Sequence, residues 1–195
     1  AHQLREEISN LVRDTSERMH AALTTQVPPA MDNPALLRKL YDDAETVDAH
    51  FRRIRSEDLA TLTELASAAD DYLLTSREIL LRWASSQRYR LKLSASIRAL
   101  ENHMRADDRT AAWITEAVRA KERVEEDYRD YNRAMSALST LLASFPAARE
   151  KMAPQVDATL LTDARLVASI RTQVIAASAH ATGEMERIRQ LRAYR

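Results

Sequence analysis

A single glycine and five prolines among 195 residues leave this chain without the turn chemistry that a β-fold needs. The same shortage removes whole classes of enzyme. A P-loop, a dinucleotide-binding fingerprint and a nucleophile elbow each need several glycines so that backbone can approach a ligand or turn sharply. Cysteine is absent, which excludes disulfides, thiol catalysis and thiolate metal sites while fitting any compartment. No uncharged run approaches the roughly 20 apolar residues of a membrane span, and no signal peptide is visible. Lys plus Arg and Asp plus Glu both number 29, so no basic excess points to nucleic acid.

What is present is helical. Ala, Leu, Arg and Glu dominate a chain that is 45% hydrophobic, enough to build one domain over residues 1–195. The clearest stretch spans residues 113–145. Trp113, Ala117, Ala120, Val124, Tyr128, Tyr131, Met135, Leu138, Leu142 and Phe145 follow one another at a mean step of about 3.6, the α-helical period. Glu122, Arg123, Glu125, Glu126, Asp127, Arg129, Asp130 and Arg133 fill the positions between them, so this helix needs partners on one side only.

The remaining segments read the same way. A first helix carries Leu4, Ile8, Leu11, Thr15, Met19 and Ala22 on one face and ends before Val27-Pro28-Pro29, because proline lacks the N–H a helix requires. A second starts at Asp32-Asn33-Pro34, with Asn as cap and Pro in the first turn. No glycine or proline then occurs until Pro146. Three places could interrupt this run: Ser56-Glu57-Asp58, the polar gap at residues 85–90, and, as the favoured turn, Ala106-Asp107-Asp108-Arg109-Thr110, where an acidic residue can cap the helix holding Trp113. After Phe145-Pro146 a short piece is expected, and Ala153-Pro154 opens a last helix with a stripe from Leu160 to Leu191 that contains Gly183.

Lengths leave two versions open. An unbroken helix over residues 34–105 would measure about 107 Å, far longer than the first helix at about 40 Å. Breaks near Ser56 and Ser86 would match the lengths better. If both chain ends attach to one membrane, the number of passes is even. Either version gives an all-α fold: an elongated antiparallel bundle of four to six helices in two stacked tiers.

Few residues suggest chemistry. Glu17 and His20 have the (i, i+3) spacing of di-iron bundles, but no second Glu-x-x-His exists, so a solvated face is the better reading. Glu122, Glu125 and Glu126 with Arg123 and Arg129 read as surface pairs rather than an acid–base site. The basic last turns, Arg187, Arg189, Arg192 and Arg195, suit a helix C-terminus without a partner. No catalytic residue, cofactor or metal is expected.

The polar gap is more informative. With a turn centred between Asp107 and Asp108, antiparallel partners total 215 in residue number. Trp83 then faces Asn132, Gln87 faces Tyr128 and Arg90 faces Glu125. Polar and aromatic groups would converge at one level of an apolar seam, as in a small-molecule site of a helical bundle. Arg77, about two turns away, could clamp a carboxylate. Arg77, Trp83, Gln87, Arg90, Glu125, Tyr128 and Asn132 are therefore the candidate ligand-binding residues, against the alternative of a satisfied interhelical network.

The stretch from Tyr128-Arg129-Asp130-Tyr131-Asn132 through Leu141-Leu142-Ala143-Ser144-Phe145-Pro146 resembles part of the double all-alpha ligand-binding (DAHL) domains of bacterial membrane sensor kinases. Tyr131 and Phe145-Pro146 correspond to an aromatic residue and a closing aromatic-proline step, and the Leu160 to Leu191 stripe corresponds to the final helix. Polar positions of the family read Asn132, Met135, Ser139 and Thr140 here. The resemblance covers about the last third of the chain and carries over no functional residue. It implies an extracytoplasmic, periplasmic module between two membrane spans that passes a helix shift to a histidine kinase. The chain opens and stops inside amphipathic patterns, and is accordingly read as part of something longer. Expected partners are a small molecule or periplasmic protein, with a homodimer as a further expectation and no nucleic acid. The rival expectation is a soluble helical scaffold that binds partner helices and takes no small ligand.

Overall fold

The structure, a computed structural model, describes residues 2–25, 34–55 and 63–191. Among these described residues are five α-helices, α1 His2–Thr24, α2 Pro34–Arg55, α3 Thr63–Ala106, α4 Ala111–Met152 and α5 Ala164–Arg189, and a 3₁₀ turn at Ala158–Leu160. The all-α elongated bundle expected from the apolar stripes is what forms. Its spine is the α3–α4 hairpin, whose arms are about 66 Å and about 63 Å long at 1.5 Å per residue.

Every other helix packs on that spine. α2 runs back along α3, with Arg77 2.6 Å from Asp48 and Arg55 3.9 Å from Asp70. The unbroken 107 Å helix therefore does not exist. The reversal lies between Arg55 and Thr63, and the expected cap at Ser56-Glu57-Asp58 falls outside the described residues, as do Val27-Pro28-Pro29 and Asp32-Asn33. α1 runs antiparallel to α2 through Arg53–Glu7 (3.0 Å), His50–Asp14 (2.7 Å) and Arg18–Asp43 (2.5 Å). α5 runs antiparallel to α4, with Tyr128 opposite Thr182 and Glu125 opposite Arg189.

Two ends of unlike construction result. At one, α1, α2 and the first half of α5 join the first half of α3 and the second half of α4. At the other, the second half of α3, the first half of α4 and the second half of α5 stand as three helices. Because five is odd, the first turn of α1 and the last turn of α5 sit at opposite ends of the bundle. Glu7 is bound to Arg53 near the start of α3, whereas Arg187 reaches Glu101 near its finish.

The five-helix end is closed by a buried polar cluster. The Tyr72 hydroxyl lies 2.7 Å from Ser16 Oγ and accepts from the Thr162 N–H at 2.9 Å. Arg149 Nε donates to the Thr162 carbonyl at 2.8 Å, so α1, α3, α4 and the link to α5 meet there. The Tyr72 ring packs on Phe145 at a centroid distance of 5.7 Å, and neither side chain reaches solvent.

Three local expectations are corrected. Residues 85–90 do not interrupt α3: Ser86 Oγ donates to the Trp83 carbonyl at 2.7 Å, so its hydroxyl is satisfied inside the helix and needs no turn. Pro146 does not end a helix either, since α4 continues to Met152. Pro146 itself is exposed, and burial of Phe145, Ala148 and Met152 along one face favours the helix over the backbone hydrogen bond that proline removes. Accordingly Ala153-Pro154 does not open the last helix. Asp163 does, its side chain accepting from the Arg165 N–H. At the hairpin, the turn falls at residues 107–110 as expected, with Asp107 and Arg109 at φ 45° and 58°. The capping group is Thr110, which accepts from the Trp113 N–H at 3.2 Å while donating to Asp108 at 2.9 Å. The acid thus orients the cap rather than being it.

Candidate functional site

The seven candidate residues do not form one site. Arg77 belongs to the α2–α3 seam, bound to Asp48 at 2.6 Å and Glu78 at 2.5 Å, with its guanidinium 5.8 Å from the centre of the Phe51 ring. Hydrogen bonds from both carboxylates, Asp48 first, hold its pKa above the ordinary arginine value. It is not available as a clamp. Trp83 is half-buried against the core, and its indole N–H is enclosed without a hydrogen-bond partner. Gln87 is half-buried as well.

Glu125, Tyr128 and Asn132 point toward α5 instead of α3. Arg189 grips Glu125 with Nε at 2.7 Å and a second nitrogen at 3.1 Å, and this contact holds the Glu125 carboxyl below the usual range. The Tyr128 hydroxyl meets Thr182 Oγ1 at 2.9 Å, and Asn132 Oδ1 accepts from Ser178 at 3.3 Å. The hairpin register lies close to the expected one: Tyr72 meets Phe145 and His103 stacks on Trp113 at 5.2 Å. What fails is the facing. α4 has two partners, and its stripe is shared between them.

Arg90 is the exception. It lines a groove of about 590 Å³ between α3 and α5, with Leu93, Ser94, Ile97, Arg98 and Glu101 on one wall and Ala177, His180, Ala181 and Glu184 on the other. Tyr131 of α4 forms the floor and is 4% exposed. Its hydroxyl makes no hydrogen bond among the described residues. Burial pushes the phenol pKa up, and the nearby Arg90 charge offsets part of that rise. At the far rim Arg187 holds both carboxylates, Glu101 at 2.6 Å and Glu184 at 3.1 Å. Arg90 and Arg98 have no ion pair among the described residues.

The groove exists because α3 and α5 both pack on α4 and scarcely on each other. The signal for it lies in residues 176–183 of α5, which read Ala, Ala, Ser, Ala, His, Ala, Thr, Gly. Such small side chains cannot fill the space to α3. A Cβ built on Gly183 would meet nothing within 4 Å, so no packing contact requires glycine there.

Glu17 and His20 are both exposed. Among the described residues no group of three or more His, Asp or Glu is placed to hold a metal ion, and no helix is long and apolar enough to cross a membrane. What the groove offers is a half-enclosed apolar trough with one buried phenol and one guanidinium at its inner end. Comparison with protein-family models, curated proteins and solved structures finds no match to this chain.

Proposed function

We propose that this chain is the signal-sensing module of a bacterial membrane receptor, extracytoplasmic and most simply coupled to a histidine kinase, and that its ligand occupies the α3–α5 groove. The observation that carries the reading is the groove itself: about 590 Å³, within the range of small-molecule sites, floored by the buried Tyr131, whose hydroxyl has no protein partner among the described residues. A ligand between α3 and α5 favours one spacing of these helices over another, by as much as its affinities for the two differ. Helix displacements of 1–2 Å are the usual scale of such signals. α5 is the output element, because its outer half is one wall of the groove.

The first turn of α1 and the last turn of α5 lie at opposite ends of the bundle, and α5's last turn stands at the outer rim of the groove, so a shift of that groove wall leaves by α5. The same observation favours a second reading, a helical scaffold that spans between two attachments and takes no small ligand.

One experiment separates them. A thermal-shift screen of small molecules is run on the chain and on Ala177→Trp, which fills the groove, with light scattering on both. A compound that raises the melting temperature of the wild type and not of Ala177→Trp supports the sensor. No compound in the screen and a concentration-dependent dimer support the scaffold.

A further inference from the structure

Building on the groove as a ligand site, we infer that its ligand is an amphipathic carboxylate, the acid group held at the inner end by Arg90 and Tyr131 and an apolar body running outward over Leu93, Ile97, Ala177 and Ala181.

Charge distribution along the groove gives the direction. The outer rim is balanced internally, since Arg187 binds Glu101 and Glu184 and leaves Arg98 to offset the second carboxylate. The inner end has Arg90 and no carboxylate among the lining residues. An anion is thus favoured at the inner end and not at the rim. Tyr131 supplies the second observation: it is more than nine-tenths buried, it lines the cavity, and its O–H lacks a protein partner. The hydroxyl is not among the enclosed unpartnered atoms of the core, so it opens onto the groove, where an acceptor can reach it. A carboxylate has one oxygen for the guanidinium and one for the phenol, and accepts from both.

The remaining lining sets the body of the ligand. From the level of Arg90 to that of Glu101 is about 16 Å along α3. Over this length Leu93, Ile97, Ala177 and Ala181 are aliphatic or small, and between the two charged ends the polar side chains are Ser94 on the α3 wall and His180 on the α5 wall. An unbranched or lightly branched chain fits this trough better than a sugar or an amino acid, which would leave its own polar groups unpaired there.

Calorimetric titration of the full chain tests this with decanoate below its micellar concentration, decanol, and inorganic phosphate. Decanoate is expected to bind, decanol at least about tenfold more weakly, and phosphate alone undetectably. Arg90→Gln is expected to weaken decanoate about tenfold, Tyr131→Phe about fivefold, and Arg90→Lys much less than Arg90→Gln. Circular dichroism confirms that each variant folds. The inference is overturned if decanol binds as well as decanoate, if phosphate binds as well as decanoate, or if Arg90→Gln and Tyr131→Phe both leave decanoate affinity unchanged. A screen compound that needs the open groove, as shown by Ala177→Trp, while decanoate does not bind, removes the carboxylate assignment and leaves the sensing role standing. Failure of decanoate together with every screen compound removes both.

Discussion

The Tyr72 cluster and the Tyr131 groove treat a tyrosine hydroxyl in opposite ways. At the five-helix end Thr15, Ser76 and Asp70 each keep an enclosed oxygen without a partner, but the groups around Asp43 and Tyr72 are matched. Asp43 is 3% exposed and receives Arg18 at 2.5 Å and Lys39 at 2.9 Å. The Tyr72 hydroxyl is bonded to Ser16 and Thr162. At the three-helix end, Tyr131 is nearly as buried as Tyr72 but its hydroxyl is unmatched, and Arg90 stands beside it without a carboxylate. Polar groups satisfied by the protein contribute to stability and specify one packing. Polar groups left unsatisfied at a cavity are poised for something that is not the protein. The difference teaches where a hydroxyl serves packing, at Tyr72, and where one is left open to a ligand of the kind proposed, at Tyr131.

Paired substitutions can break this contrast. The largest effect is expected from Phe145→Ala, which empties a fully buried ring site against Tyr72 and should cost about 3–5 kcal/mol in chemical denaturation. Ile97→Ala, on the half-exposed groove wall, should cost less than about 1 kcal/mol. Next comes Arg18→Ala, which strips the buried Asp43 of its closest cation and should cost about 2–3 kcal/mol. Arg90→Ala should leave stability within about 0.5 kcal/mol of wild type, since no protein partner is lost. Third, Tyr72→Phe leaves the Thr162 N–H unpaired and takes from Ser16 one of its two partners, the Val12 carbonyl remaining, and should cost about 2 kcal/mol, whereas Tyr131→Phe should be neutral within about 0.5 kcal/mol. Equal costs for the two tyrosines would end the argument for a ligand-facing hydroxyl.

The smallest effect is a pH dependence. Burial by itself would raise the Asp14 pKa, but hydrogen bonds from Arg18 and His50 outweigh it and hold the carboxyl below its ordinary value. A depressed folded pKa gives stability that is present above the unfolded value, about 3.9, and is lost as pH falls through the lower folded value. Melting temperature should therefore drop on acidification below about pH 4, and Asp14→Asn should flatten that drop slightly. Asp14 is partly exposed, so screening keeps its share small. A melting curve whose acid limb is unchanged by the substitution would assign the loss to other carboxylates.

How much of this was legible in the sequence depends on what a stripe can say. Apolar spacing located α1, α4 and α5, and the run of turn residues at 107–110 located the hairpin, because these features act on the backbone where they stand. The same stripe could not say which of two neighbours each residue would meet. Tyr128 and Tyr131 differ by less than one turn, yet the first meets Thr182 of α5 and the second the groove floor. That distinction depends on the angle at which α5 crosses, which no single helix encodes. Pro146 misled for a related reason: its local effect is to stop a helix, and burial of its neighbours overrode it. Arg90 was reachable from the polar gap in α3, while its true companions, Tyr131 and the small residues of α5, emerge only when three helices are seen together.

The opposite placement of α1's start and α5's finish has a mechanical consequence. Tension applied to those two points would load the helices lengthwise, sliding them past one another, and would not peel one from the end of the next. Such loading engages all contacts along a seam at once. The load path would run from α1 across Ser16, Tyr72 and Thr162 into the start of α5, so three buried hydroxyls stand where the two halves of the rod would first part.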